Sequence, residues 1–358
     1  MAITFSQIRF LAFFVSMLAI ETRLLAAASY TVKDIGTLKG GTALARYINL
    51  KGSVIGVSGS PHGFNNRAFF WDPQKGIAEL GTLPGGDYSA AFAVNSSNQI
   101  VGESNVATTI RAFLWERSSG MKDLGTLPGD TASRAFGIND AGQVVGYSSG
   151  QHGEHAFLWT LSAGMVDLGT LPGGNSSEAW AINSNGQVVG FSATSAGARA
   201  ILWTRAAGMQ DLGVLPGDME SKAQSISNSG QVIGWSTSSG SSHAFVWTST
   251  AGMQDIGSLL SSTSTIPFAI NGLGQVVGMS NTSLGSRAFV WTSSTGITDL
   301  NTLIPPTSGL VLTSAIGIND MGQIVAVGTV NADSQHAVNL DDPRHAALHV
   351  HVFVLTPF

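Results

Sequence analysis

The sequence predicts an all-β fold assembled from one small unit used many times, and three observations lead there. Glycine supplies 44 of the 358 residues, a composition of many short strands joined by many turns. Hydrophobic residues make up 43 % and charged residues only 11 %, which suits strands packed on both faces and excludes disorder. A tryptophan also recurs at intervals of 44 residues, at Trp71, Trp115, Trp159, Trp203, Trp247 and Trp291.

Each tryptophan closes a block such as His155-Ala156-Phe157-Leu158-Trp159. A second block, Asp167 to Gly174, repeats its acidic residue at Asp34, Glu79, Asp123, Asp167, Asp211, Asp255 and Asp299. A third, Ile182-Asn183-Ser184-Asn185-Gly186-Gln187-Val188-Val189-Gly190, repeats its glutamine, the fourth position after Asn, at Gln99, Gln143, Gln187, Gln231, Gln275 and Gln323, with Ser53 in the first copy. The three blocks divide each repeat into four strands: A ending at Ile-Asn, B at Gln-Val-Val-Gly, C at Ala-Phe-Leu-Trp and D at Asp-Leu-Gly-Thr-Leu. Asn-x-x-Gly suits a tight A–B hairpin, because both residues tolerate positive φ.

Four strands in a period near 44 residues is the pattern of a propeller blade. The repeats therefore predict a seven-bladed β-propeller over residues 29–358, with a β-solenoid as the alternative architecture. A lone D strand, Tyr30 to Leu38, opens the chain and a C-like strand ends it, so the N-terminal strand is expected to complete the last blade and close the ring. Two segments compete for that last C strand. Spacing points to His336–Leu340 and hydrophobicity to His351–Leu355; the second is preferred, which makes residues 329–349 an inserted loop. Phe10 to Ile20 form an apolar run behind Arg9 and ahead of Ala26-Ala27-Ala28. That layout predicts a signal peptide over residues 1–28, a secreted or otherwise extracytoplasmic product, and no membrane span after cleavage.

The blocks at His155–Trp159, Asp167–Gly174 and Ile182–Gly190, recurring over nearly all of residues 30–358, resemble the HAF repeat, a probable extracellular repeat of bacterial proteins. The resemblance implies export and a repeated β architecture, and it implies no reaction. Ser227 in place of the turn asparagine, and Leu260-Ser261-Ser262 in place of Pro-Gly-Gly, depart from the pattern and are expected to alter one blade's loops.

The net charge of −5 excludes a basic nucleic-acid surface, and the absence of cysteine excludes disulfides and thiolate chemistry. Gly146-Tyr147-Ser148-Ser149-Gly150 matches G-x-S-x-G but lacks the strand-to-helix turn that a nucleophilic serine needs. The repeated Asn, Asp and Trp read as structural positions, used once per unit. His345, His349 and His351 are the weak metal candidates; their spacing matches no zinc motif, and no cofactor is expected. The A–B and C–D turns are short and share one face of the ring. The longer, variable B–C and D–A loops share the other, where binding is expected. That face would present His62, Asn65, Asn66, Asp87, Tyr88, Asp130, His152, Glu154, Asn175, Asp218 and Glu220. The favoured function is a binding module for an extracellular glycan or protein. A polysaccharide hydrolase or lyase and a structural or adhesive surface protein are the alternatives; catalysis is disfavoured because the loop carboxylates fall in different blades. Signal removal makes a direct prediction: N-terminal sequencing of exported protein should read Ser29-Tyr30-Thr31.

Overall fold

The computed structural model describes residues 29–36, 42–59, 66–151, 153–260, 262–330 and 351–358. The expected signal peptide, the segment 336–340 and the residues His62, Asn65, His152, His345 and His349 lie outside them. The described chain is all-β, apart from two single-turn 3-10 helices at Leu300–Thr302 and Pro306–Ser308.

Strand β1 is Tyr30–Asp34. Then follow six sets of four consecutive strands. The first comprises β2 Thr42–Ile48, β3 Val54–Gly59, β4 Arg67–Asp72 and β5 Gly76–Glu79; the second β6 Ser89–Val94, β7 Ile100–Val106, β8 Thr109–Glu116 and β9 Gly120–Asp123. The third is β10 Asp130–Ile138, β11 Val144–Gly150, β12 Gly153–Thr160 and β13 Gly164–Asp167, and the fourth β14 Ser176–Ile182, β15 Val188–Thr194, β16 Gly197–Thr204 and β17 Gly208–Asp211. The fifth holds β18 Glu220–Ile226, β19 Val232–Ser238, β20 Ser241–Thr248 and β21 Gly252–Asp255, and the sixth β22 Ser264–Ile270, β23 Val276–Thr282, β24 Gly285–Thr292 and β25 Gly296–Asp299. The chain ends with β26 Leu310–Ile318, β27 Ile324–Val330 and β28 His351–Pro357. Within each set the strands pair antiparallel in chain order. In the last, β28 pairs with β27 and takes β1 on its other edge, with Val32 opposite Leu355. One parallel pair, Ser242 with Ser264, joins the fifth and sixth sets into an eight-stranded sheet, at the loop where Leu260 and Ser262 replace Pro-Gly-Gly.

The core lies between the sets. One cluster packs Val101 and Leu114 of the second set against Phe157 and Trp159 of the third. The recurring tryptophan is therefore a wedge between neighbours, burying a large apolar surface. Serines clamp the same seam. The Ser133 hydroxyl in β10 accepts the Ala112 amide of β8 at 2.9 Å and donates to the Gly125 carbonyl at 2.6 Å; Ser89, Ser177 and Ser221 repeat both bonds.

The turn asparagine does two tasks at once. Asn139 is buried; its Oδ1 accepts the Ala141 and Gln143 amides, and its Nδ2 donates to Gln143 Oε1 at 2.7 Å. That same Nδ2 donates to the Asn183 carbonyl of the next set at 3.0 Å. Equivalent links join Asn49 to Asn95, Asn95 to Asn139, Asn183 to Ser227 and Asn271 to Asn319. Asn319 in the last set donates to the Asn49 carbonyl in the first at 2.9 Å, across 270 residues of sequence. Ser227 is the exception: its hydroxyl accepts the Gln231 amide and meets Ser229, and no bond from it to Asn271 occurs among the described residues.

Replacing Asn139 with Ala strands several buried polar groups and should cost about 2–4 kcal/mol in urea unfolding. Ser227→Asn supplies the missing link and should add about 0.5–1.5 kcal/mol.

Candidate functional site

Every A strand carries a β-bulge at one place. In β10 the pairing steps from Ala135–Gly146 to Gly137–Val145, leaving Phe136 as an extra residue. The same shift isolates Arg46, Phe92, Trp180, Gln224, Phe268 and Ile316 in β2, β6, β14, β18, β22 and β26. A bulge re-aims a side chain, and these seven, joined by Glu178, line one cavity of about 470 Å³. Beyond one end of it, the A–B turns of all seven sets surround a smaller polar space lined by residues such as Asn95, Asn183 and Asp320.

The glycine of the Gln-Val-Val-Gly block permits the bulge. A Cβ on Gly146 would stand 1.8 Å from the Arg134 carbonyl oxygen, and one on Gly190 2.0 Å from that of Glu178. Backbone occupies the space that a side chain would need. In the last set this slot holds Ala326, and there β26 carries an additional register shift between Leu312 and Ser314.

Two residues before each bulge lies a second variable position, paired with a variable residue of strand B. The pairs include Ala90–Glu103, Arg134–Tyr147, Glu178–Phe191 and Lys222–Trp235. These lie on the side of the bulge nearer the B–C and D–A loops, and together with the bulge cavity they make up a funnel. Sets two to five fill it with aromatic and charged groups. Arg134 pairs with Glu103 and bonds the Tyr147 hydroxyl; Glu103 also accepts the Tyr88 hydroxyl at 2.7 Å. Phe136 packs edge-on to Phe92 and beside Tyr147. Trp180 stacks on Trp235 at 5.5 Å and meets Phe191 edge-on, while Lys222 sits 3.9 Å above the Phe191 ring. Sets six and seven present Ile266, Met279 and Val327 at the corresponding positions.

This setting shifts protonation. Burial pushes the Tyr88 hydroxyl well above its ordinary value, and its bond to Glu103 adds to that. Burial also raises the Glu178 carboxyl, with the Glu154 carboxyl reinforcing the shift against the Trp180 Nε1 donor at 2.8 Å.

The expected binding residues divide into two groups. Tyr88 and Glu154 approach the funnel through Glu103 and Glu178. Asn66, Asp87, Asp130, Asn175, Asp218 and Glu220 belong to the surrounding loops and strand ends. Asp87 is held by the Asn105 side chain and its carbonyl by Arg67; Asp218, nearly buried, binds His243 Nδ1 at 3.1 Å. The funnel residues Arg46, Phe92, Phe136, Glu178, Trp180, Lys222 and Trp235 escaped the sequence reading. For the bulge residues Arg46, Phe92, Phe136 and Trp180 a signal was present: large residues that vary from copy to copy at one fixed place, three before the turn asparagine.

Other recurring residues are occupied with structure. Ser148 of G-x-S-x-G is buried and accepts the Leu127 amide. Asp167 accepts the Gly169 amide at 2.7 Å and pairs with His155 at 3.4 Å; Arg67–Glu79, Arg199–Asp211 and His351–Asp34 repeat that pairing. His351 thus serves as the C-strand partner of a D-strand acid. Among the described residues no group of three or more His, Asp or Glu is placed to hold a metal ion.

No family model and no curated protein matches the chain. Solved β-propeller structures do. TolB from Acinetobacter baumannii aligns with a TM-score of 0.50 and 12 % identity over 67 % of this chain and 61 % of its own, so the chain spans less than two-thirds of that protein. A streptogramin B lyase aligns at 0.55 with 14 % identity over 93 % of this chain and 100 % of its own. An oligogalacturonate lyase in complex with manganese aligns at 0.57 with 9 % identity over 93 % and 94 %. At these identities the likeness concerns the fold alone: an all-β, propeller-like arrangement of four-stranded sheets.

Because its folded carboxyl holds a proton more tightly than an unfolded one, Glu178 contributes destabilisation that grows as pH rises above the ordinary carboxylate range. Glu178→Gln keeps an acceptor for Trp180 and should raise Tm at pH 7. The gain should vanish in thermal melts run below that range.

Proposed function

We propose that the seven four-stranded sets close into a seven-bladed β-propeller of HAF-type repeats, exported from a bacterial cell, that binds an extracellular glycan or protein through the funnel on its B–C and D–A face. The bond from Asn319 to Asn49, the addition of β1 to the last sheet, and a cavity lined from all seven A strands support the closed ring. The signal-like N-terminus supports export, and among the described residues no helix is long and apolar enough to cross a membrane. The observation that carries the binding reading is the placement of variation. Positions that hold the repeats together stay nearly constant, whereas the bulge position changes from Arg to Phe, Trp, Gln and Ile and faces one cavity. Variable side chains on a rigid scaffold are where recognition resides, and Trp and Tyr with nearby cations are the residues that dominate binding energy.

A hydrolase or lyase of polysaccharide is the second reading, and one observation favours it: Glu178, with its raised carboxyl and neighbouring Glu154, faces the cavity. The two readings separate in one experiment on exported protein, incubated with a panel of polysaccharides and extracellular proteins and scored for retention and for soluble products. Retention without shortened products, weakened about tenfold or more by Trp180→Ala, is the expected outcome. Products that disappear in Glu178→Gln would establish the enzyme instead. Unchanged retention in Trp180→Ala, with loss in Asn175→Ala, would move the site to the outer loops.

A further inference from the structure

The waist of the funnel pairs an unanswered positive charge with an apolar wall. Arg46 is the exposed bulge residue of β2. Its guanidinium lies 5.7 Å from the Phe92 ring, and among the described residues no carboxylate or carbonyl accepts from it. The other charges close by are answered locally: Arg134 by Glu103, and Glu178 by Trp180 Nε1 and the Lys222 charge. Five of the eight residues lining the cavity are apolar, Phe92, Phe136, Trp180, Phe268 and Ile316, and the remaining polar groups are Gln224 and Glu178.

We infer that this waist receives the free C-terminus of a peptide chain ending in an apolar residue, with Arg46 binding the α-carboxylate. The inference rests on the funnel being the binding site and names what enters it. A guanidinium offers a planar fork of N–H donors that matches a carboxylate in two parallel bonds. The aromatic wall accommodates the last side chain. Gln224 and Glu178 supply acceptors for the one or two peptide N–H groups that follow it inwards. A cavity of about 470 Å³ holds a terminal residue and part of its neighbour. A uronic acid would offer the same carboxylate, but its ring carries several hydroxyls. Two polar side chains besides Arg46 cannot satisfy them all, and a buried hydroxyl without a partner is costly.

The test uses three probes: the peptide Gly-Ser-Gly-Ala-Phe with a free terminus, the same peptide amidated, and a linear oligogalacturonate. Binding is followed by titration calorimetry to the whole exported protein, with circular dichroism to confirm that each variant is folded. The free acid should bind, and amidation should weaken it at least tenfold. Arg46→Gln should weaken the free acid to a similar degree and abolish the difference between acid and amide; Arg46→Lys should retain part of it. Equal affinity for acid and amide, with both lost in Trp180→Ala, would overturn the carboxylate assignment while leaving the funnel as the site. Binding of the acid untouched by Trp180→Ala would overturn the funnel itself. Arg46-dependent binding of the oligogalacturonate alone would replace the peptide with an acidic glycan, and no binding of the free acid at millimolar concentration would sink the proposal.

Discussion

The buried turn asparagine is the constraint on which the rest depends. In Asn139 four hydrogen bonds converge on one amide group: two shape its own hairpin, one recruits Gln143, and one reaches the backbone of the next set. Hairpin geometry and spacing between sets are therefore set by the same side chain. Inter-set packing follows from that spacing, because Phe157 and Trp159 can fill the gap beside Val101 and Leu114 only if the sheets stand at a fixed separation. Serines at the opposite end of strand A, such as Ser133, hold the seam a second time. The buried side-chain polar atoms among the described residues all have partners, as a lattice of coupled turns requires.

The bulge exploits this rigidity. Strand A is pinned at both ends, by Asn139 and Ser133, so one extra residue between them has no way to slip the register and must project. Glycine opposite the bulge, Gly146 in that set, yields the space for the displaced backbone. The fold thus separates labour by position. Asn, Gly, Ser and Trp repeat because each set needs the same bonds, whereas Arg46, Phe92, Phe136, Trp180, Gln224, Phe268 and Ile316 take no part in those repeated bonds and differ from set to set while lining one cavity.

The strands, their order and the Asn-Gly hairpins were legible in the sequence, since each rests on local chemistry that recurs every 44 residues. The C-terminal strand was legible too: the hydrophobicity of Val352 to Leu355 outweighed spacing, and β28 takes the place beside β27. The structural role of Asp167 followed from its recurrence once per unit, and the structure shows it accepting the Gly169 amide. The funnel was not legible, for a physical reason. Simple alternation along Arg134-Ala135-Phe136-Gly137-Ile138 does not reveal an inserted residue, because the shift depends on how the neighbouring strand B pairs with it, two residues opposing one between Gly146 and Val145. The expected binding residues are therefore those of the loops, such as Asn175 and Asp218, and not the bulge side chains.

The most direct test of the account is amide hydrogen exchange at the A–B turns, where closed and open arrangements differ most. In a closed ring, the Ser53 and Gln323 amides, bonded to Asn49 and Asn319, belong to turns linked to each other as firmly as any in the middle of the chain. They should exchange about as slowly as the Gln187 amide bonded to Asn183. In an open array the terminal units fray. Exchange at Ser53 and Gln323 faster than at Gln187 by orders of magnitude would contradict closure, and with it the funnel that all seven sets are proposed to share.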